Sequence, residues 1–287
     1  TTGDYNTAVG YQSLYTADGT FYNTAVGYGA MRLTTTGDQN TAIGYAALYV
    51  NTTGKLNTGV GYGVLFSNTI GSNNTALGTN TLYSNTTGAG NTAVGYNALN
   101  LNTTGTVNVA VGMFSMASNL GGQYNTAIGY NSLATNTFGA LNTALGYNTL
   151  QGNTTGVRNV AVGNNALYTN ITGNYNVAVG YESSFSSDGT TSNVALGYYA
   201  MRSTTTGDSN TAVGFQSLYS NTTGNSNVAL GYNALYSSTV TVNNIAIGRN
   251  ALYTNVSGAG NIAIGRDAMY TADGTQYYRK QQCCFRL

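Results

Sequence analysis

Apolar and polar residues alternate in one short phrase that returns at a fixed interval along the chain. The phrase first occurs as Asn6-Thr7-Ala8-Val9-Gly10, and its opening Asn recurs every 17 residues. We number the places of the repeat from this Asn, so that Gly10 stands at the fifth place. A fixed short period is typical of one structural unit stacked on copies of itself. The opening asparagines are Asn6, Asn23, Asn40, Asn57, Asn74, Asn91, Asn108, Asn125, Asn142, Asn159, Asn176, Asn193, Asn210, Asn227, Asn244 and Asn261.

The first half of the repeat predicts a short strand and the second half a turn. The third place is Ala in every coil except at Gly59, the fourth is always Val, Ile or Leu, and the fifth is always Gly. Such alternation, bounded by Asn and Gly, predicts a β-strand. The repeat usually closes as in Asn51-Thr52-Thr53-Gly54, and Asn and Gly tolerate the left-handed backbone of tight turns.

Stacked strands of this kind predict an all-β fold, a parallel β-solenoid of sixteen 17-residue coils. We expect the solenoid to cover residues 1–277 and residues 278–287 to form a short basic, Cys-containing tail or cap. With strands roughly 4.8 Å apart, the coils would make a rod about 77 Å long. The opening asparagines would then lie above one another and form an amide ladder. The alternative is that each is a plain turn former.

Both faces of the strand are restricted in sequence. Ala8 points to one side, whereas Thr7 and Val9 point to the other. Restriction on both faces predicts burial on both, one inside the coil and the other against a partner chain. The sequence therefore favours a homo-oligomer with a narrow Ala/Val/Leu core. The alternative is a coil so narrow that Ala packs against its own opposite wall.

Tyr recurs at the sixth and tenth places and predicts aromatic ladders. They are expected to pack at the surface or an interface with the hydroxyl hydrated, and glycan binding or charge transfer is the alternative. The sixth-place examples are Tyr11, Tyr28, Tyr45, Tyr62, Tyr96, Tyr130 and Tyr147, and the tenth-place examples include Tyr15, Tyr49, Tyr83 and Tyr168.

Composition narrows the function. Charged residues make up 6% of the 287 residues and the net charge is +1, which argues against nucleic-acid binding. The chain has no His, so a Ser-His-Asp or Cys-His site is excluded. The acidic residues are scattered, and two adjacent Cys do not make a zinc site. We expect no catalytic residue, cofactor, metal or membrane span, and we expect a processed or partial chain.

Two kinds of modification are candidates. Sequons at the turn are candidate glycosylation sites, although Asn-Thr-Thr also arises from turn chemistry alone; they include Asn51, Asn85, Asn102, Asn153, Asn170, Asn221 and Asn255. Cys283 and Cys284 would crosslink chains if exported, and unpaired thiols are the alternative.

A longer repeat lies over the short one. The segment Gly29-Ala30-Met31-Arg32 returns as Tyr199-Ala200-Met201-Arg202, ten coils later. This offset indicates duplication of a ten-coil block, which adds coils without changing their cross-section.

The phrases N-T-A-V-G, N-V-A-V-G and N-I-A-I-G resemble the head repeats of trimeric autotransporter adhesins of the YadA type, which carry an N-S-V-A-I-G-like motif. The full unit is also similar to repeats of phage tail-fibre and bacterial surface-fibre proteins. The YadA-type repeat is shorter than this one. The resemblance implies an extracellular, left-handed and trimeric β-roll.

We therefore expect a non-enzymatic structural subunit of an extracellular filament or surface fibre, assembling end to end or laterally with copies of itself. Its expected location is outside the cell, on the cell surface or on a virion. The alternative is a binding module, an adhesin head or phage tail fibre, with surface glycans as partners. An ice-binding solenoid is a third alternative, but it needs an unbroken Thr array. A binding module predicts irregular coils at one end, whereas the deviating residues Met113, Phe114, Ser184, Arg249 and Arg266 are scattered.

Overall fold

The chain folds as an all-β parallel β-solenoid, as predicted. The computed structural model describes residues 3–272 and the strand Cys283–Phe285, and these residues contain no helix. They divide into two compact units between Asn142 and Thr143. In each unit, every coil contributes one strand of three residues, at the second to fourth places of the repeat.

The first unit contains eight strands, each paired in parallel with its neighbours in sequence. Each residue lies opposite the residue 17 positions later, as Thr7 lies opposite Thr24. This register places every repeat position above its own copy. The strands are β1 Thr7–Val9, β2 Thr24–Val26, β3 Thr41–Ile43, β4 Thr58–Val60, β5 Thr75–Leu77, β6 Thr92–Val94, β7 Val109–Val111 and β8 Thr126–Ile128.

The second unit repeats the same pairing except at its last strand, where Ile262 lies opposite Cys283 and not opposite the residue 17 positions later. Two additional short strands, β16 Thr254–Asn255 and β18 Thr271–Ala272, pair in parallel outside the main sheet. The main strands are β9 Thr143–Leu145, β10 Val160–Val162, β11 Val177–Val179, β12 Val194–Leu196, β13 Thr211–Val213, β14 Val228–Leu230, β15 Ile245–Ile247, β17 Ile262–Ile264 and β19 Cys283–Phe285.

The predicted boundary at residue 277 and most of the predicted tail 278–287 lie outside the described residues. Within the tail, the backbone of Cys283–Phe285 pairs in parallel with Ile262–Ile264. The predicted crosslink through Cys283 and Cys284 concerns side chains that also lie outside the description, so it stays a prediction.

Backbone hydrogen bonds between coils continue beyond the strands. The N–H groups of Leu99 and Leu101 donate to the carbonyls of Ser115 and Ala117 one coil later, both at 3.0 Å. At the turn, the N–H of Thr86 donates to the carbonyl of Thr103, also at 3.0 Å. The curved parts of each coil are therefore tied to their neighbours, as buried backbone groups require.

The core consists of the third, eighth and ninth places. Ala93, Ala98 and Leu99 of one coil are fully buried. Of the predicted narrow Ala/Val/Leu core, the fourth-place Val, Ile and Leu are not a part, because these side chains point outward: Leu77 is 48% and Ile128 43% exposed. The alternation of the strand allows only one of its faces to line so narrow a coil.

The ninth-place residue has an uncommon backbone conformation. Leu99 has a φ of 50°, and the Leu, Met or Ser at this place has a positive φ in the other coils too. Left-handed backbone costs a non-glycine residue roughly 1 kcal/mol, while burying a leucine side chain contributes about 1.5–3 kcal/mol. The conformation turns the chain sharply and still directs the side chain into the core.

Candidate functional site: the side-chain ladders

The opening asparagines form a ladder inside the solenoid. The Oδ1 atom of Asn74 accepts the backbone N–H of Asn91 at 3.0 Å and its side-chain N–H at 3.1 Å. The Nδ2 of Asn91 also donates to the carbonyl of Gly105, at the fifteenth place of the same coil, at 2.9 Å. Each amide thus joins successive coils and closes its own coil. Neither Asp nor a hydroxyl residue offers this combination of acceptor and donors.

A second Asn ladder lies at the twelfth place, and the sequence did not lead us to it. Asn85 donates from Nδ2 to the Oδ1 of Asn68 at 2.7 Å and to the carbonyl of Gly88 at 2.9 Å. Both asparagines are fully buried. Their sequence context, Asn-Thr-Thr-Gly, is that of a surface turn, and only the recurrence of Asn at this place was a signal.

This burial argues against the predicted glycosylation. Each of the candidate asparagines has a relative exposure of 0%, namely Asn51, Asn85, Asn102, Asn153, Asn170, Asn221 and Asn255. The Nδ2 atoms that would carry the sugar donate inside the coil, for example from Asn51 to Gly54 at 2.9 Å. A glycan on any of them is incompatible with the folded chain, so we no longer propose these sites.

The fifteenth place is matched to the twelfth within each coil. A Cβ added to Gly88 would collide with the Oδ1 of Asn85 and lie 2.5 Å from the carbonyl oxygen of Gly105. Thr nevertheless replaces Gly in three of the described coils, and in each the twelfth place carries a smaller residue than Asn. These pairs are Ala17 with Thr20, Ser187 with Thr190, and Ser238 with Thr241. The side chains at the twelfth and fifteenth places therefore occupy the same volume, so that a larger residue at one requires a smaller residue at the other.

The outward face of the strands is apolar and only partly covered. Fourth-place residues such as Leu77 and Ile128 are 48% and 43% exposed, and others such as Val94 and Val162 are half-buried. No second or fourth place carries a charge, and at the sixth place only Arg249 and Arg266 are charged. We refer to this extended, largely apolar face as the strand face.

Aromatic side chains stack along each unit. The rings of Tyr11, Tyr28, Tyr45 and Tyr62 follow one another at centroid distances of 4.9–5.2 Å. In the second unit, Tyr219, Tyr236, Tyr253 and Tyr270 do the same at 4.9–5.1 Å. Rings about 5 Å apart leave no room for another ring between them. A sugar therefore cannot stack on the inner faces, and only edges and hydroxyl groups are exposed.

Arginine takes the place of a ring in these stacks. The Cζ of Arg32 lies 5.8 Å from the ring centre of Tyr15 and 5.5 Å from that of Tyr49. The guanidinium is planar and interacts favourably with ring faces. Its Nε donates to Oε1 of Gln12 at 2.7 Å. The Arg therefore continues the stack and connects it to the preceding coil.

The corresponding Arg ten coils later makes the same connection to a charged partner. The Nε of Arg202 donates to Glu182 at 2.6 Å, and this carboxylate raises the pKa of the Arg202 guanidinium. A hydrogen bond with Tyr198, with burial and nearby negative charge, raises the pKa of Tyr199 to about 12. Ten coils earlier, the neutral residue Gln12 occupies the place of Glu182. A charge at this place is therefore not required, and we interpret the contacts of Arg202, Glu182 and Tyr199 as structural.

Asp38 provides a test of surface electrostatics. Burial raises the pKa of its carboxyl, but hydrogen bonds from Lys55 and from the N–H of Phe21, with the Lys charge, outweigh it and hold the pKa below its ordinary value. A lowered pKa contributes stability above the unfolded-state pKa of about 3.9, and this is lost as pH falls through the folded-state pKa. Asp38→Asn should cost less than about 1 kcal/mol at pH 7.

Urea unfolding at pH 7 and at about pH 2.5 would measure this loss, which should vanish at the lower pH. Asp208→Asn is the matched control. Asp208 accepts the N–H of Thr191 at 2.7 Å, but Asn225 stands where Asp38 has Lys55. An equal pH-dependent loss in both variants would show that the ion pair is not the cause.

No group of three or more metal-ligating side chains occurs among the residues that the structure describes. In the same residues, no helix is long and apolar enough to cross a membrane.

Comparison with known proteins does not identify a family for this chain. Neither the models of known protein families nor the curated protein sequences match this chain. The resemblance to YadA-type heads and fibre repeats therefore stays a prediction.

Proposed function

We propose that this chain is a non-enzymatic structural subunit of an extracellular filament or surface fibre and that it works by associating with copies of itself. The observation that carries the proposal is the strand face, whose fourth place stays apolar in every described coil although it is partly exposed. The fourth place is Val, Ile or Leu without exception. Single exposed apolar residues are common on protein surfaces, whereas a contiguous row of them is typical of an interaction surface.

The strand face is large enough for a stable interface. A buried tyrosine covers about 150–250 Å², and sixth-place rings such as Tyr62 and Tyr96 are 55% and 47% exposed. With the fourth-place side chains, each coil offers roughly 150 Å², so the coils of one unit offer roughly 1,000 Å². Stable interfaces bury about 800 Å² per partner.

The ladders support a mechanical role. Within each unit, successive coils are joined by the strand pairing, by backbone hydrogen bonds of the curved parts and by two rows of buried amides. Separating two coils breaks all of these together, so strain is distributed over many parallel hydrogen bonds. This arrangement suits a fibre under load.

Lysine at two fourth-place positions should prevent the association. Leu77→Lys with Ile128→Lys puts two charges on the strand face, where the wild-type residues are 48% and 43% exposed. We expect the variant to sediment as a monomer at concentrations at which the wild-type chain forms oligomers or fibres, because buried unpaired charge strongly opposes association.

Ile70→Lys with Phe138→Lys is the matched control. Both residues are exposed apolar side chains of the turn in the same unit, at 55% and 60%, so the control adds the same charge elsewhere. It should associate like wild type. Electron microscopy of native material should show fibres with an axial spacing near about 4.8 Å. Monomeric wild-type chain, or equal loss in both variants, would contradict the proposal.

A further inference from the structure

The twelfth-place ladder is interrupted at two successive coils of the second unit. Asn170 is followed by Ser187 and Thr204, and the ladder position returns to Asn at Asn221. All four side chains are fully buried. In the intact ladder, the Oδ1 of each Asn accepts a hydrogen bond from the next Asn, as Asn85 does from Asn102 at 2.7 Å. A serine hydroxyl is too short to replace that amide.

Three buried oxygen atoms are left without a hydrogen-bond partner in the protein at this interruption. They are the Oδ1 of Asn170 and the Oγ1 atoms of Thr190 and Thr204. Buried polar atoms in folded proteins are almost always paired, with protein or with ordered water. A cluster of three in consecutive coils therefore points to a bound partner.

The repeat geometry directs these three side chains toward the same part of the coil. A Cβ at the fifteenth place points at the twelfth-place side chains of its own and the following coil: at Gly207, it would lie 2.9 Å from the Nδ2 of Asn221. The side chain of Thr190 is therefore directed between Ser187 and Thr204. The ladder register directs the Oδ1 of Asn170 toward Ser187 from the other side.

The same coil also has more room than its neighbours. Ser184 stands at the ninth place, where every other described coil has Leu or Met. Ser184 and Ser187 each carry two non-hydrogen side-chain atoms fewer than Leu and Asn, and Thr190 replaces only part of that volume. The two serine hydroxyls bond to each other at 2.5 Å. They add polar lining without using the unpaired atoms.

We propose that this pocket binds one structural water molecule, which bridges the interrupted ladder. The water donates to the Oδ1 of Asn170 and exchanges hydrogen bonds with the hydroxyls of Thr190 and Thr204. A hydroxyl either donates or accepts, so one water pairs all three. A buried water typically makes about three such bonds and needs roughly 30 Å³. The named oxygens are all neutral, which favours water over a cation that would have to shed its hydration shell.

High-resolution crystallography and oxygen-17 relaxation dispersion of the full chain test the proposal. We expect density within about 2.7–3.2 Å of the three oxygens and a long-lived water in solution. Ser187→Asn with Thr190→Gly gives this coil the ladder residues of the preceding coil, Asn170 and Gly173. It should remove one long-lived water and keep or raise the melting temperature.

Ser184→Leu, which narrows the pocket alone, is a second variant and should also reduce the water signal. A dry pocket in the wild-type crystal would overturn the proposal. So would density with five or more short oxygen contacts and an anomalous signal from rubidium, which would identify a cation, or an unchanged number of long-lived waters in the ladder-restoring variant.

Discussion

Gly95→Ala should destabilise the coils around it by at least about 3 kcal/mol. Gly95 has a φ of 133°, a conformation that only glycine adopts readily. An added Cβ would lie 2.7 Å from the carbonyl oxygen of Gly112 one coil later. That glycine cannot withdraw, because its N–H donates to Val94 at 2.8 Å. The strained backbone and the collision therefore act together.

Hydrogen exchange measured by mass spectrometry would locate the effect, which should be loss of protection in the coils next to Gly95. Gly90→Asn, at the last place of the preceding coil, is the control. Gly90 has a φ of 69°, and Asn73 at the equivalent place has a φ of 60°. A Cβ at Gly90 meets only Val107, at 3.6 Å. This variant should keep its protection, and equal loss in both would refute the argument.

The second large effect is a coupling between the twelfth and fifteenth places. Gly88→Thr alone should cost about 3 kcal/mol or more, because its side chain would collide with the Asn85 amide. Asn85→Ser alone should cost about 2 kcal/mol, since it removes the bonds to Asn68 and Gly88. The double variant should recover about 1–3 kcal/mol relative to the sum.

A natural coil shows that the combination folds. Ser238 and Thr241 occur together between Asn221 and Asn255, the same flanking residues that Asn68 and Asn102 would provide. Thermal unfolding of the wild-type chain, the two single variants and the double variant provides the double-mutant cycle from which the coupling energy is obtained. Strictly additive losses would show that the two places do not share one space.

Much of the fold was predictable because the coils are in register. Alternation and invariance at Asn91, Ala93 and Gly95 indicate a stacked strand with an amide row beside it. It was harder to assign which face of the strand points to the interior. The two-residue alternation of a strand places Ala93 and Val94 on opposite faces but does not show which face is interior. The predicted core therefore included Val as well as Ala. The small cross-section excludes the larger residue from that face.

Other features had a weak signal in the sequence or none. The Asn-Thr-Thr-Gly segment at Asn85 has the composition of a surface turn, yet its first residue is buried in the second ladder. The left-handed backbone at Leu99 is improbable for leucine and becomes favourable only through packing. The role of Arg32 between two rings depends on neighbours 17 residues away, which local patterns do not reveal.

The register of the amide ladders also has a genetic consequence. Because the strand pairing and the amide ladders join a residue to its copy 17 positions away, gaining or losing 17 codons inside the repeats leaves the contacts within the remaining coils unchanged. An in-frame insertion that is not a multiple of 17 codons would set residues against different partners only where contacts span the insertion, because the coils on either side keep their own 17-residue spacing. Recombination between near-identical repeats can therefore alter the number of coils freely, while selection keeps their cross-section constant.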